Sequence, residues 1–149
     1  VGIRRTAVHD PAADKMATMD ELATELALAD VVILACPLTE QTRGLVDADF
    51  LAAMRPDAVL VNVARGGVVN DEALLGALDH GTIGSAILDV FDPEPLPANS
   101  PFWTHENVTV TSHIAGAGAG FLARNDQLFI DQLDDYLAGR PLRLEVVSG

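Results

Sequence analysis

Three side chains in this sequence could carry chemistry together. Arg65 follows the apolar run "VLVNVA" and precedes two glycines, Gly66 and Gly67. Glu94 lies in "DPEP", and His113 follows "NVTVTS". An imidazole exchanges a proton near neutral pH. A neighbouring carboxylate favours the protonated ring and selects its tautomer. A guanidinium binds a carboxylate, or polarises a carbonyl, through forked donors that lysine lacks. The set suits reduction of a 2-keto acid. Arg65 would hold the substrate, His113 would protonate the carbonyl oxygen, and Glu94 would orient His113. The hydride must then come from a cofactor. Each residue also has a plainer reading: a strand-end cation in solvent, a solvated carboxylate in a proline-rich loop, a structural hydrogen-bonding histidine. The chemical reading gains from their shared placement, each just past an apolar, strand-like run.

The elements that must position them alternate along the chain. The β-rich runs are "VGI", "DVVILAC", "DAVLVNV", "SAILDVF" and "NVTVTS". The central three are apolar on both faces, as in a parallel sheet covered by helices. Between them, "MDELATELALAD", "DADFLAAM" and "NDEALLGALDHG" have helical spacing. Thr18 and Glu21 form a capping-box pattern, Asp47 and Asn70 read as N-caps, and Gly81 as the glycine closing a helix. Residues 92–101, "DPEPLPANSP", hold four prolines and exclude helix and central strand. A final helix is expected over 121–138, with an apolar stripe through Leu122, Leu128, Phe129, Leu133 and Leu137, followed by an extended tail. Right-handed crossovers stack such units into an open parallel sheet with flanking helices, three layers deep. Ligands of such sheets bind beyond the carboxyl ends of the strands. That rule selects Cys36 and Pro37, residues 64–67, residues 89–94 and residues 112–116.

Composition narrows the function classes. The 149 residues suffice for one domain with a real core, and 49% are hydrophobic and 21% charged. A net charge of −13 argues against nucleic acid and anionic membranes as partners. No apolar run reaches the roughly 20 residues of a membrane span. "VGIRRTAVHD" lacks the apolar centre of a secretory signal. The single cysteine, Cys36, cannot form an internal disulfide, so a cytoplasmic location is expected.

Four segments resemble the nucleotide-binding half of the D-isomer-specific 2-hydroxyacid dehydrogenases: "ADVVILACPLTEQTRGLVD", "NVARGGVVNDEALLGAL", "GSAILDVFDPEPL" and "NVTVTSHIAG". The resemblance runs from about Val1 to about Leu142. It implies a Rossmann-type fold and makes the arginine of "ARGG", the glutamate of "DPEP" and the histidine of "SHIAG" catalytic. These are Arg65, Glu94 and His113. It also implies that Asp89 and the backbone at Val63, Ala64, Arg65, His113, Ala115 and Gly116 face the nicotinamide. Cys36 joins the cofactor-binding set at its strand end, and Pro37 and Thr42 would line the ribose side. Two positions depart from the family pattern: Ser112 stands where proline usually precedes the histidine, and Gly118 where threonine usually follows "AGA". A homodimer is implied as well, and a small 2-keto or 2-hydroxy acid is the expected substrate. Formate oxidation is disfavoured, since it goes with glutamine at the position of Glu94.

"GAGAG", residues 116–120, imitates a dinucleotide fingerprint but has Phe121 where the last glycine belongs. It reads instead as a small-residue turn that lets the last helix pack closely. The family's true fingerprint precedes the strand that "VGI" would represent. The expected domain is therefore an incomplete dinucleotide-binding domain over 1–140 with a tail over 141–149. Such a fragment or truncated product would expose two apolar sheet edges and would not catalyse alone. Arg4 and Arg5 occupy the place where an acidic residue would bind the ribose 2′-OH. Two cations there suit a 2′-phosphate, so NADP is expected over NAD. The rival to an oxidoreductase is a dinucleotide-sensing module without turnover.

Overall fold

The computed structural model describes residues 1–6 and 8–142. It divides into two compact units, Val1–His113 and Ile114–Gly149. In the first unit, β1 (Gly2–Ile3) pairs in parallel with β2 (Met16–Ala17), a short strand that the periodicity does not disclose. The main sheet is parallel and four-stranded, in the order β3 (Val31–Leu34), β4 (Val59–Asn62), β5 (Ser85–Leu88), β6 (Val108–Val110). Val31 lies opposite Val59, and Val59 opposite Ser85, so sequential strands are neighbours throughout.

The helices form where their caps are encoded. Glu21 accepts the Thr18 N–H at 3.1 Å, closing the turn Met19–Glu21 that leads into α1 (Leu22–Leu26). Asp47 accepts the Phe50 N–H at 2.9 Å at the head of α2 (Ala48–Ala53). Asn70 accepts the Ala73 N–H at 3.0 Å at the head of α3 (Asp71–Asp79), which ends before Gly81 at φ 67°. Each cap satisfies a backbone donor that the helix leaves unpaired.

These helices bury one face of the sheet. Leu26, Phe50, Leu51, Leu74 and Leu78 meet Leu34, Leu60, Ala86 and Leu88 in a single core. The opposite face keeps its apolar side chains in solvent: Val31 is 52% exposed, Ile33 63% and Ile87 39%. Val31 and Ile33 lie on β3, the outer strand of this sheet, and Ile87 on the inner strand β5.

The second unit contains α4 (Phe121–Leu137), one residue shorter than the expected helix. Its stripe residues Leu122, Leu128, Phe129, Leu133 and Leu137 are all exposed. Gly120 caps it with φ 77°, a conformation that costs glycine little. The close packing expected of residues 116–120 is not found at Gly116 or Gly118, where a Cβ would meet open space. Most of the expected tail, residues 143–149, lies outside the described residues. Among the described residues no helix is long and apolar enough to cross a membrane, and no three His, Cys, Asp or Glu side chains gather as a metal site.

Candidate active site

All four strands of the main sheet are parallel, so their C-terminal ends share one edge. Arg65, Glu94 and His113 each follow one of those ends. Beyond β3 and β4 lies an open cleft of about 570 Å3, formed by residues 35–38 and 63–65. Its walls are mostly apolar side chains and backbone, with Arg65 the charged group. Cys36 is a half-buried free thiol there and Pro37 is exposed. Such a cleft suits a flat, partly apolar ring better than a fully hydrated ion.

Arg65 leaves β4 on a short turn, and the residue that shapes this turn is one the sequence reading overlooked. Asn62 is 1% exposed and is the last residue of β4. Its Oδ1 accepts the Ala64 N–H at 3.0 Å, and its Nδ2 donates to the Arg65 carbonyl at 3.2 Å. A buried amide with both ends satisfied holds the backbone more firmly than solvent contact would. The signal was legible in principle: Asn62 shares the inward face with Leu60, where a polar residue needs local partners. Arg65 itself is exposed and donates from Nη1 to the Ala64 carbonyl at 2.7 Å.

Glu94 and His113 meet directly. His113 Nδ1 lies 2.9 Å from Glu94 Oε2, while Glu94 Oε1 accepts the Phe91 N–H at 2.8 Å. The hydrogen bond from His113, then that from Phe91, hold the Glu94 carboxyl below its ordinary value, and the positive charge of Arg65 adds to the effect. Glu94 and His113 are thus in direct contact, and Arg65 lies near enough for its charge to act on Glu94. The loop between β5 and β6 has cis peptide bonds at both Asp92-Pro93 and Glu94-Pro95.

His113 is fixed through its backbone as well. Its N–H donates to the Asp89 carbonyl at 2.8 Å, and its φ of 57° is in the left-handed region that non-glycine residues seldom occupy. Asp89 is 3% exposed, and its carboxylate accepts the Thr111 hydroxyl. That bond links the ends of β5 and β6 close to His113.

The remaining candidates are placed as follows. The Thr42 hydroxyl donates to the Pro37 carbonyl at 2.7 Å and accepts the Thr39 N–H at 2.8 Å, so it closes the turn after β3. Val63 is half-buried and Ala64 buried beside the cleft. Ala115 and Gly116 belong to the second unit, in a turn where the Ala117 N–H donates to the Ile114 carbonyl at 2.9 Å. Arg4 and Arg5 follow β1 and are exposed; Arg4 pairs with Asp10 at 2.7 Å.

A parallel sheet packed by helices, with its candidate side chains beyond the carboxyl edge, has a Rossmann-like architecture. Residues 1–115 match the family described as D-isomer specific 2-hydroxyacid dehydrogenase, NAD binding domain, and the chain belongs to that family. Over 97 residues, 65% of this chain and 31% of the relative, it is 47% identical to the (S)-sulfolactate dehydrogenase of Chromohalobacter salexigens. It is also 47% identical over 96 residues to the glyoxylate/hydroxypyruvate reductase B of Yersinia pestis, covering 64% of this chain and 29% of that one. Among solved structures, a D-isomer specific 2-hydroxyacid dehydrogenase from Xanthobacter autotrophicus Py2, in complex with NADPH and MES, superposes with a TM-score of 0.87 at 36% identity. That match covers 98% of this chain and 60% of the other. The chain thus spans less than two thirds of the length of each of these relatives.

Proposed function

We propose that the protein carrying this chain interconverts a small 2-keto acid and its 2-hydroxy acid with a nicotinamide dinucleotide. The observation that carries this reading is the hydrogen bond between Glu94 and His113 beside the charge of Arg65. In the direction of reduction, Arg65 pairs with the substrate carboxylate. His113 Nδ1 is taken up by Glu94, so Nε2 is the nitrogen that delivers a proton to the carbonyl oxygen. As that C=O double bond becomes a C–O single bond, the imidazolium becomes neutral imidazole, and Glu94 keeps the ring in one orientation. When bound, the reduced nicotinamide supplies the hydride. The apolar walls at residues 35–38 and 63–65 fit its ring, and Asp89 and the backbone at His113 lie at the same sheet edge. The glyoxylate/hydroxypyruvate and sulfolactate activities named for its relatives make short, anionic 2-keto acids the substrate class to test.

NADP is the favoured cofactor. Arg4 and Arg5 follow β1 in the place of an acidic ribose ligand, and a 2′-phosphate pairs well with guanidinium. Arg5 is the better placed of the two to bind it, because Asp10 engages Arg4. The NADPH in the Xanthobacter structure supports the choice. The test is steady-state kinetics on the protein that carries this chain, with glyoxylate and hydroxypyruvate and with each cofactor. A higher kcat/KM with NADPH, and a hundredfold or greater loss of kcat in His113→Ala, are expected. Unchanged turnover in His113→Ala would defeat the catalytic assignment, and a preference for NADH would defeat the cofactor choice.

A further inference from the structure

Gly66 is buried, and its φ is not positive, so conformational freedom does not explain a glycine there. Space does. A Cβ at residue 66 would lie 1.9 Å from the Phe91 carbonyl carbon, 2.3 Å from its oxygen and 2.4 Å from the Asp92 nitrogen. These are backbone atoms, which cannot swing aside as the end of a side chain can. Gly67 is different: its added Cβ would meet only the side-chain ends of Arg43, Asp92 and Leu38, at 3.2, 3.3 and 3.3 Å.

The turn that carries Arg65 and the loop that carries Glu94 therefore press together, backbone on backbone, at one residue. What Gly66 touches is also what supports Glu94. The N–H of Phe91 donates to Glu94 Oε1 at 2.8 Å, and the Phe91 ring packs on Phe102 with centroids 6.4 Å apart. Two residues earlier, the Asp89 carbonyl holds the His113 N–H. A displacement of Phe91 and Asp92 would thus be passed to Glu94 directly, through its own hydrogen bond.

We propose that Gly66 is a positioning residue, whose missing side chain seats the Glu94 loop against the Arg65 turn and so keeps Glu94 in contact with His113. This rests on the reading of Arg65, Glu94 and His113 as the reacting set, but it can be tested without turnover. The measurement is NMR of the glutamate side-chain carboxyl carbons and the histidine ring nitrogens, on wild type, Gly66→Ala and Gly67→Ala. In Gly66→Ala the Glu94 carboxyl titration moves up toward an ordinary glutamate, and the neutral His113 ring loses its preference for the Nδ1–H tautomer. Backbone amide spectra of β3 to β6 stay unchanged. Gly67→Ala keeps the wild-type titration and tautomer. Wild-type behaviour in Gly66→Ala, or an equal change in Gly67→Ala, would overturn the proposal.

Should Gly66→Ala not fold, Gly66→Ala/Phe91→Gly releases the loop from Phe102 and lets it recede. Measured against Phe91→Gly alone, the double variant must show the same two changes, and their absence would again overturn the proposal. In the protein that carries this chain, Gly66→Ala is expected to lower kcat tenfold or more, with KM for the cofactor unchanged. If the NMR changes occur but wild type has no turnover, the catalytic reading fails and the positioning role of Gly66 stands.

Discussion

Glu94 uses both carboxylate oxygens, one toward His113 and one toward the Phe91 N–H, and only its ionised form can accept both bonds fully. Its carboxyl is therefore held below the ordinary value of 4.5. In the unfolded chain the same group binds its proton at a higher pH, so between the two values the unfolded state holds more protons. The stability it contributes is present above pH 4.5 and is lost as pH falls through the lower folded value. Glu94→Gln should flatten this part of the stability profile, as read by thermal melts between pH 6 and pH 3, by lowering stability slightly above pH 4.5 and leaving it unchanged at the acid end. The effect is small because the group is partly solvated, its side chain 36% exposed. Arg65 and His113, both exposed, contribute little to the core, whereas Asn62 is buried and shapes the turn from within. The sequence signalled the first two because charge at a strand end is conspicuous. Asn62, inside the same motif, gives a fainter signal, a polar residue on the inward face of β4, and the fold supplies its partners.

Element boundaries were legible where a side chain caps a helix. Asp47 and Asn70 stand at the heads of α2 and α3 as the spacing predicts, and each accepts one otherwise orphaned N–H. Asn70→Ala should destabilise the domain by about 1 kcal/mol, measured by urea denaturation, with no change in the slope of the transition. The helix α3 would fray from its first turn, where Asp71 and Glu72 lie. β2 was not legible because two residues carry no period, and its existence depends on β1 lying beside it. Gly66, one of the two glycines that follow Arg65, meets the backbone of Phe91 and Asp92, some 25 residues away in the chain. No local rule reports a contact of that kind.

For the whole molecule, the asymmetry of the main sheet has the largest consequence. One face is sealed by α1 to α3, while Val31, Ile33 and Ile87 remain exposed on the other. Apolar sheet surface at an open edge favours association with any strand or apolar surface it meets. Ile33→Lys should therefore reduce concentration-dependent scattering of the isolated chain. Its melting temperature should change by no more than about 2 °C, since a side chain 63% exposed contributes little burial. A loss of stability of several kilocalories per mole would show that this face is covered in solution. The charge of −13 opposes such association without preventing it, because ionic screening at physiological salt reaches within roughly 8 Å.

Apart from β2, the order of strands and helices, the family and the chemical identity of Arg65, Glu94 and His113 were readable from the chain, because periodicity, capping residues and short motifs are local properties. Their convergence required the parallel sheet, which brings residues 65, 94 and 113 from separate strand ends to one edge. The fold alone placed Asn62 beneath the arginine turn, brought Asp89 to Thr111, and pressed Gly66 against the loop of Glu94. Each of these is a contact whose second partner lies elsewhere in space, or on a face that only burial defines. Residue types announce what chemistry is available; packing sets the distances at which it can operate.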